Sequence, residues 1–337
     1  MAIPLAPLSD LRMPESPDHE EEHEAEAFFD RLMRGPLQLR ARADHAIETS
    51  ELQNAAGLNG IGPWALGPRL GRGGMSTVYE ATRHTPSGVQ KAALKLARRA
   101  SPKARRLFER EAQLLTRLGA PHVAAVLDSG VHSDGRPYLA LEPITGPTVT
   151  AAARHRSVRE TVRLVLRACQ AVATLHDAGI IHGDLKPEHL IVRDNDAVTV
   201  LDLGLAFDLT SPPPPAPNST KSLTPEFAAP EQILGEPLHR ATDVYAIGLV
   251  LHEALYGRAR RIPWGLGGNP AAPDRGSKPP RPQASASPTE QALDYALGPI
   301  LQMALQPNPH LRYASASALA MALTRALAPV TSGAAHA

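Results

Sequence analysis

The sequence predicts an α+β chain of two lobes: a small antiparallel-sheet lobe with one helix, then a larger, mainly helical lobe. Three observations carry that expectation. Between residues 64 and 142, short β-type runs alternate with Gly and Pro turns and are interrupted by one helical pattern. From residue 161 the apolar period becomes that of helices and stays so. A hydrophobic content of 43% over 337 residues suffices for a large core, but with 4% aromatics that core must be made of Leu, Val, Ile and Ala.

Taken in order, residues 1–60 read as an N-terminal extension, partly disordered with short helices. Residues 1–17 are Pro-rich and expected to be disordered. Residues 18–26 are acidic and read as a solvated helix start. Phe28, Leu32, Leu37, Leu39, Ile47 and Leu52 suggest one or two short helices, broken near Gly35 and Pro36. Two readings of the extension stay open: a helical element packed on the main domain, or a docking site for a regulatory partner. The main domain is expected at 61–328, with its small lobe at 61–142 and its large lobe at 147–328. A disordered tail covers 329–337.

Runs 64–70, 76–84 and 89–97 read as three strands, 105–118 as a helix, and 123–131 and 138–142 as two further strands. On the helix, Phe108, Ala112, Leu115 and Leu118 share a face. In the large lobe, 161–178 reads as a long amphipathic helix with Val162, Val165, Cys169, Val172 and His176 on one side. Helices are also expected at 230–235, 241–256, 291–305 and 314–326. Residues 211–218, with four consecutive prolines, read as a stiff extended segment, and 262–288 as a long loop.

Composition excludes several classes. A net charge of +1 offers no field for nucleic acid or an anionic membrane. One cysteine, Cys169, excludes an internal disulfide framework, fits a reducing compartment and reads as a small core residue. The first ten residues lack the basic start of a signal peptide. The best apolar run, 244–256, is too short for a bilayer and contains His252 and Glu253. A cytoplasmic location is expected.

The chemistry-bearing residues fall in a definite order. Gly71, Gly73 and Gly74 form a turn between the first two strands that lets a backbone approach a polyphosphate, or is simply a hairpin. Lys95 sits mid-strand between Leu94 and Leu96. On the next helix Glu111 shares the side of Leu115 and is placed to pair with Lys95, with Glu109 as the competing acid. Residues 181–187 read I-H-G-D-L-K-P and bring Asp184 and Lys186 two positions apart in a loop. That carboxylate suits proton abstraction from a hydroxyl, and that ammonium suits phosphate charge. Asp202 comes just after the strand-like run 197–201 and precedes Gly204, a position fit for a cation ligand. Together these match the parts of a phosphoryl-transfer site.

From residue 61 to 327 the chain resembles the eukaryotic-like (Hanks-type) Ser/Thr protein kinases of bacteria, so the fold implied is protein-kinase-like. The resemblance rests on Gly71, Gly73 and, at the third glycine, Ser76; on Lys95 and Glu111; on His182-Gly183-Asp184, Asp202-Leu203-Gly204 and Ala229-Pro230-Glu231; and on Asp243 and Arg312. It implies Mg²⁺–ATP as cofactor and protein Ser/Thr hydroxyls as acceptors. Asp184 would accept the hydroxyl proton and Lys186 neutralise the γ-phosphate. Lys95, held by Glu111, would fix the α- and β-phosphates. Asp202 would hold the metal, with His189 beside it. The nucleotide would contact Gly71, Gly73, Ser76, Val78, Ala93, Glu142 and Ile144, with Leu141 as gatekeeper. Thr224 would bond near Asp184 and Lys186.

Two departures matter. His189 replaces an Asn that binds metal, which implies a slower enzyme or one favouring Mn²⁺. The alternative is a pseudokinase or nucleotide-binding scaffold with weak or no transfer. Gly183 replaces an Arg that binds a phosphorylated activation segment. Activity is therefore expected without strict need of phosphorylation at Ser211, Ser219, Thr220 or Ser222, which remain autophosphorylation candidates. The loop 262–288 lies where the family carries a substrate-docking helix, expected here to be shortened. A small-molecule phosphotransferase is disfavoured by Thr224 and the 229–231 motif.

Overall fold

The β-type runs of the small lobe pair into one antiparallel sheet. Its strands are β1 (Ala65–Arg72), β2 (Ser76–Thr85), β3 (Gly88–Ala97), β4 (Val126–Val131) and β5 (Pro137–Leu141), ordered β1-β2-β3-β5-β4. One row of the ladder aligns Gly71, Val78, Lys95 and Leu139 across four strands. This is a computed structural model, and it describes residues 60–210, 226–257 and 288–328. The extension before residue 60, the prolines of 211–218, Thr224, the four activation-segment Ser/Thr sites, the loop 262–288 and the tail 329–337 lie outside the described residues.

Helix α1 (Pro102–Leu118) begins three residues before the expected 105, because Ser101 accepts the Ala104 N–H and Pro102 occupies the first turn. Its buried stripe is Phe108, Glu111, Leu114 and Leu115, while Ala112 and Leu118 pack at the edge. The fourth strand starts at Val126, not 123. Val123 is buried but makes a parallel bridge to Val200 of the large lobe instead.

The large lobe adds α2 (Val149–Ala153), a one-turn helix that its length hid from periodicity. Helix α3 (Val158–Asp177) starts before the expected 161 because Ser157 and Glu160 cap each other reciprocally. Its expected face of Val162, Val165, Cys169, Val172 and His176 is buried. Next come α4 (Pro230–Leu234), α5 (Arg240–Tyr256), α6 (Pro288–Ala304) and α7 (Ala316–Leu327). α6 starts at Pro288 instead of 291, and α7 at Ala316 instead of 314, where Ser315 accepts the Ala318 N–H.

Helix α5 is apolar all round and buried nearly all round, which identifies the run 244–256 as a core helix. No helix among the described residues is long and apolar enough to cross a membrane. Val165, Cys169, Val172 and Leu175 of α3 join Val244, Ile247 and Leu251 of α5 and Leu319 and Leu323 of α7 in one cluster. Each such side chain contributes about 1.5–3 kcal/mol of burial. Leucines and valines supply the core that scarce aromatics could not.

Two small two-stranded antiparallel sheets follow in the chain. β6 (Ile180–Ile181) pairs with β9 (Phe207–Asp208), and β7 (Leu190–Val192) with β8 (Val198–Val200). The loops that leave β6 and β8 carry the residues singled out in the sequence.

Candidate active site

Sheet register places Lys95 opposite Val78 and two residues from Ala93, so the three share one face. Lys95 is only 8% exposed. Its Nζ donates to both Glu111 oxygens at 2.8 Å and to Asp202 Oδ1 at 2.7 Å. Of the two acids on α1, Glu109 turns outward to Arg105 at 2.8 Å, while Glu111 is buried toward Lys95.

One ammonium therefore serves two carboxylates. Burial works against the Lys95 charge, but Glu111 and Asp202 outweigh it and hold its pKa above the ordinary lysine value. Burial pushes the Glu111 carboxyl upward against the pull of Lys95. For Asp202, whose side chain is 46% exposed, burial is outweighed by the Lys95 ammonium, and its carboxyl lies below the usual range. Asp202 has φ 62°, the left-handed region that Asp tolerates better than most residues. Its Oδ1 also accepts the Gly204 N–H at 3.2 Å. A β-carbon at Gly204 would lie 3.0 Å from that oxygen, so the site leaves no room for a side chain there.

The loop from His182 to His189 is held from below by Asp243 of α5. Asp243 Oδ2 accepts the His182 N–H at 2.8 Å and His176 Nε2–H at 2.9 Å, and Oδ1 accepts the Gly183 N–H at 2.9 Å. His176 Nδ1 accepts the Ala316 N–H, which leaves its proton on Nε2. Burial disfavours the Asp243 charge, but His176 and the loop amides hold its carboxyl below the ordinary value. His182 Nδ1 accepts the Asp184 N–H at 3.2 Å, and its Nε2–H donates to the Leu201 carbonyl at 3.0 Å. This orients Asp184, whose Oδ2 lies 3.6 Å from Lys186 Nζ.

Gly183 has φ 75°, its carbonyl accepts Gln232 Nε2–H at 2.6 Å, and a β-carbon on it would meet Leu238 at 3.3 Å. Leu238 thus crowds the place a side chain at 183 would take.

His189 closes the loop in a 3-10 turn (Pro187–His189). Its Nδ1–H donates to the Asp184 carbonyl at 2.7 Å, so Nε2 carries the lone pair and lies 3.8 Å from Asp202 Oδ2. Burial first, then the field of His182, pushes its pKa down to about 3 against Asp202, so the ring is neutral near pH 7. Lys95 takes Oδ1 of Asp202, and Oδ2 faces an imidazole nitrogen. This mixed oxygen and nitrogen pair could hold a divalent cation only with further ligands from outside the pair. Among the described residues no group of three or more His, Cys, Asp or Glu could hold a metal by itself.

A buried salt bridge completes the frame. Arg312 makes a bidentate pair with Glu231 at 2.7 and 2.7 Å. Thr242 Oγ1–H donates to the same carboxylate at 2.8 Å. A family model described as the protein kinase domain matches residues 64–322. The chain belongs to the protein kinase family.

Curated relatives include the serine/threonine-protein kinase Pkn1 of Myxococcus xanthus, 32% identical over 79% of this chain and 38% of its own length. PknB of Mycolicibacterium smegmatis is 31% identical over 78% of this chain and 42% of its own length. The chain thus spans about two fifths of these relatives. The solved kinase domain of PknI from Mycobacterium tuberculosis has the same fold, with a TM-score of 0.53, 22% identity, and coverage of 79% of this chain and 97% of that one.

Against this kinase frame, the glycine turn and the hinge gain detail. Gly73 N–H donates to the Ser76 carbonyl at 2.8 Å and closes the β1–β2 turn. β-carbons on Gly71 or Gly74 would meet nothing within 4 Å, so packing inside the chain does not demand glycine there. At the hinge, Glu142 N–H is committed to the Ala125 carbonyl at 2.8 Å, and its side chain to Arg193 at 3.1 Å.

Sequence reasoning missed several partners of this kinase site: Gln232 on the Gly183 carbonyl, Arg193 on the hinge acid, and the polar duty of His176. Gln232 left one signal, an amide in a short apolar helix just after Glu231. His176 lay on the predicted core face and differed from its neighbours only in chemistry.

Proposed function

We propose that this chain is a protein Ser/Thr kinase that transfers the γ-phosphate of ATP to Ser or Thr hydroxyls of protein substrates, including its own. The observation that carries the reading is the shared ammonium of Lys95 between Glu111 and Asp202, beside the paired Asp184 and Lys186. In this reading Asp184 accepts the substrate hydroxyl proton, and Lys186 offsets the charge that grows on the transferring group. Lys95 positions the α- and β-phosphates, with Glu111 fixing Lys95. Val78, Ala93 and the backbone of Glu142 and Ile144 enclose the base, and the turn of Gly71, Gly73 and Ser76 covers the phosphates. Asp202 and His189 would hold the divalent cation, which when bound neutralises phosphate oxygens. Catalysis is then chiefly placement and preorganised charge.

The neutral His189 is compatible with that role because its free lone pair faces the Asp202 carboxylate. A nitrogen donor suits Mn²⁺ better than Mg²⁺, which prefers oxygen. Glycine at 183, where a phosphate-binding Arg would stand, supports activity that does not depend on a phosphorylated activation segment. The protein substrates, and any partner of residues 1–60, rest on the family alone.

The test uses γ-labelled ATP with Mg²⁺ or Mn²⁺, with and without a generic basic protein, beside Asp184→Ala. Label should appear on protein, more with Mn²⁺ than with Mg²⁺, and Asp184→Ala should lower it by about 10²–10⁴-fold. His189→Asn should shift the preference toward Mg²⁺. It should also remove the nitrogen coupling seen by electron paramagnetic resonance in the Mn²⁺–nucleotide complex. Nucleotide binding without label on any acceptor would favour the scaffold reading instead.

A further inference from the structure

The end of helix α1 is fastened to the large lobe by a contact that the phosphoryl-transfer reading does not use. Arg117, in the last turn of α1, donates through Nη1 to Asp208 Oδ2 at 2.9 Å and through Nη2 to the Ala178 carbonyl at 3.4 Å. Asp208 is buried, at 5% exposure, in β9. Its other oxygen accepts both the N–H and the hydroxyl of Thr210, at 2.9 and 2.7 Å. Both carboxylate oxygens thus have partners, and one of them is the Arg117 guanidinium.

Position gives the contact its meaning. β9 lies six residues after Asp202, on the segment that leaves the site. It pairs with β6, which runs directly into His182, and Leu209 N–H donates to the Gly179 carbonyl beside Ala178. Arg117 therefore binds α1 to the point where the two site loops are stitched together. Glu111 rides on the same helix, less than two turns earlier, and reaches Lys95 only while that helix stays seated.

Physical chemistry makes the contact sensitive. Asp208 is buried while the Arg117 side chain is 42% exposed, so the guanidinium can be released to solvent and the buried carboxylate then loses a charged partner. The pair also links elements 91 residues apart, so it reports whether the segment after Asp202 is folded back. Burial would raise the Asp208 carboxyl, but Thr210 and Arg117 outweigh it and hold it low, consistent with an ionised partner.

We propose that Arg117 is a positioning residue: through Asp208 it latches helix α1 to β9 and so keeps Glu111 on Lys95 whenever the segment after Asp202 is in place. The proposal rests on the kinase reading for its activity readout only. The latch couples the helix that carries Glu111 to the strand that comes after Asp202. Release of either partner would let α1 swing and would uncouple the acid from the lysine.

The experiment compares wild type, Arg117→Ala, Arg117→Lys and Asp208→Asn in the full chain, alone and in a Glu111→Ala background. Arg117→Ala and Asp208→Asn should each lower kcat about tenfold, within the usual range for coupled sites, with KM for a peptide substrate little changed. Arg117→Lys, which keeps the charge, should recover most of the loss. In the Glu111→Ala background, which removes the contact with Lys95, removing Arg117 should cost little more, because both changes act through one contact. Hydrogen exchange of the α1 amides should quicken in Arg117→Ala and Asp208→Asn. Multiplicative losses in the double variant, or unchanged α1 exchange in both single variants, would overturn the latch. Because exchange needs no turnover, a wild type without transfer would sink the kinase reading and leave the latch still decided.

Discussion

Replacing Lys95 with Met is expected to cut phosphoryl transfer by about 10²–10³-fold, the scale seen when one preorganised charge is removed from a transition state. The reason lies in the sharing of its ammonium. Lys95 is the common donor to Glu111 and Asp202, at 2.7–2.8 Å. Without it, two carboxylates face each other across a largely buried site. Glu111, which burial already pushes upward, then loses the ammonium that opposes that push, so its carboxyl should shift further upward. Two losses combine: the phosphates lose their cation, and Asp202 loses the partner that holds Oδ1 in place. Nucleotide affinity should fall as well, measured by calorimetry with a non-hydrolysable analogue. Glu111→Gln should be milder, because the amide oxygen still accepts from Lys95. Transfer within threefold of wild type in Lys95→Met would show that the shared ammonium is not the centre of the chemistry.

The second large effect concerns stability. Arg312→Ala should lower the unfolding free energy by about 3–5 kcal/mol, the usual result of removing one partner of a buried charge pair. The Arg312 side chain is wholly enclosed. Beyond the bidentate pair with Glu231 it donates to the carbonyls of Gln306, Ala241 and Pro307 and stacks 4.8 Å over Tyr245. The substitution strips Glu231 of its cation and leaves it the Thr242 hydroxyl and its own backbone N–H. Arg312→Lys should rescue little, since one ammonium cannot span both carboxylate oxygens and three carbonyls.

The same pair sets the sign of the acid dependence. Burial would raise the Glu231 carboxyl, but Arg312 outweighs it and the folded pKa is depressed. That contribution is complete above the ordinary carboxylate value, about 4.3. It is lost as pH falls through the depressed folded value. Wild-type stability should therefore drop in acid, and Arg312→Ala should show a shallower drop. Denaturant titration across this range measures both effects. A loss under about 1 kcal/mol at neutral pH, the scale of an exposed pair, would mean that the buried pair does not lock the fold.

Much of the site was legible because its residues announce themselves locally. Lys95 stands out as a charge between Leu94 and Leu96 in a strand. Asp184 and Lys186 stand out by proximity in a loop, and Asp202 by its place between a β run and a glycine. The choice between Glu109 and Glu111 could be favoured by periodicity, yet it took packing to seat Glu111 and turn Glu109 to Arg105. Helix starts at Ser101, Ser157 and Ser315 were written in capping residues that periodicity alone passes over. The strand expected from residue 123 failed for another reason. Val123 is as apolar as a strand residue should be, but it is buried against Val200 and not in the sheet.

By itself the sequence determined the two-lobe order, the helical and β periods, and the identity and sequence of the charged groups. These depend on near neighbours, where spacing along the chain equals spacing on a strand or helix face. The tertiary structure alone decided which groups meet: Lys95 with both Glu111 and Asp202, Asp243 beneath His182 and Gly183, Arg117 with Asp208, and His189 with its lone pair toward Asp202. It also decided the proton position on each of these histidines, because a tautomer is set by whichever carbonyl or amide lies opposite the ring. Contacts between residues dozens of positions apart carry no period, so only the packed chain can specify them.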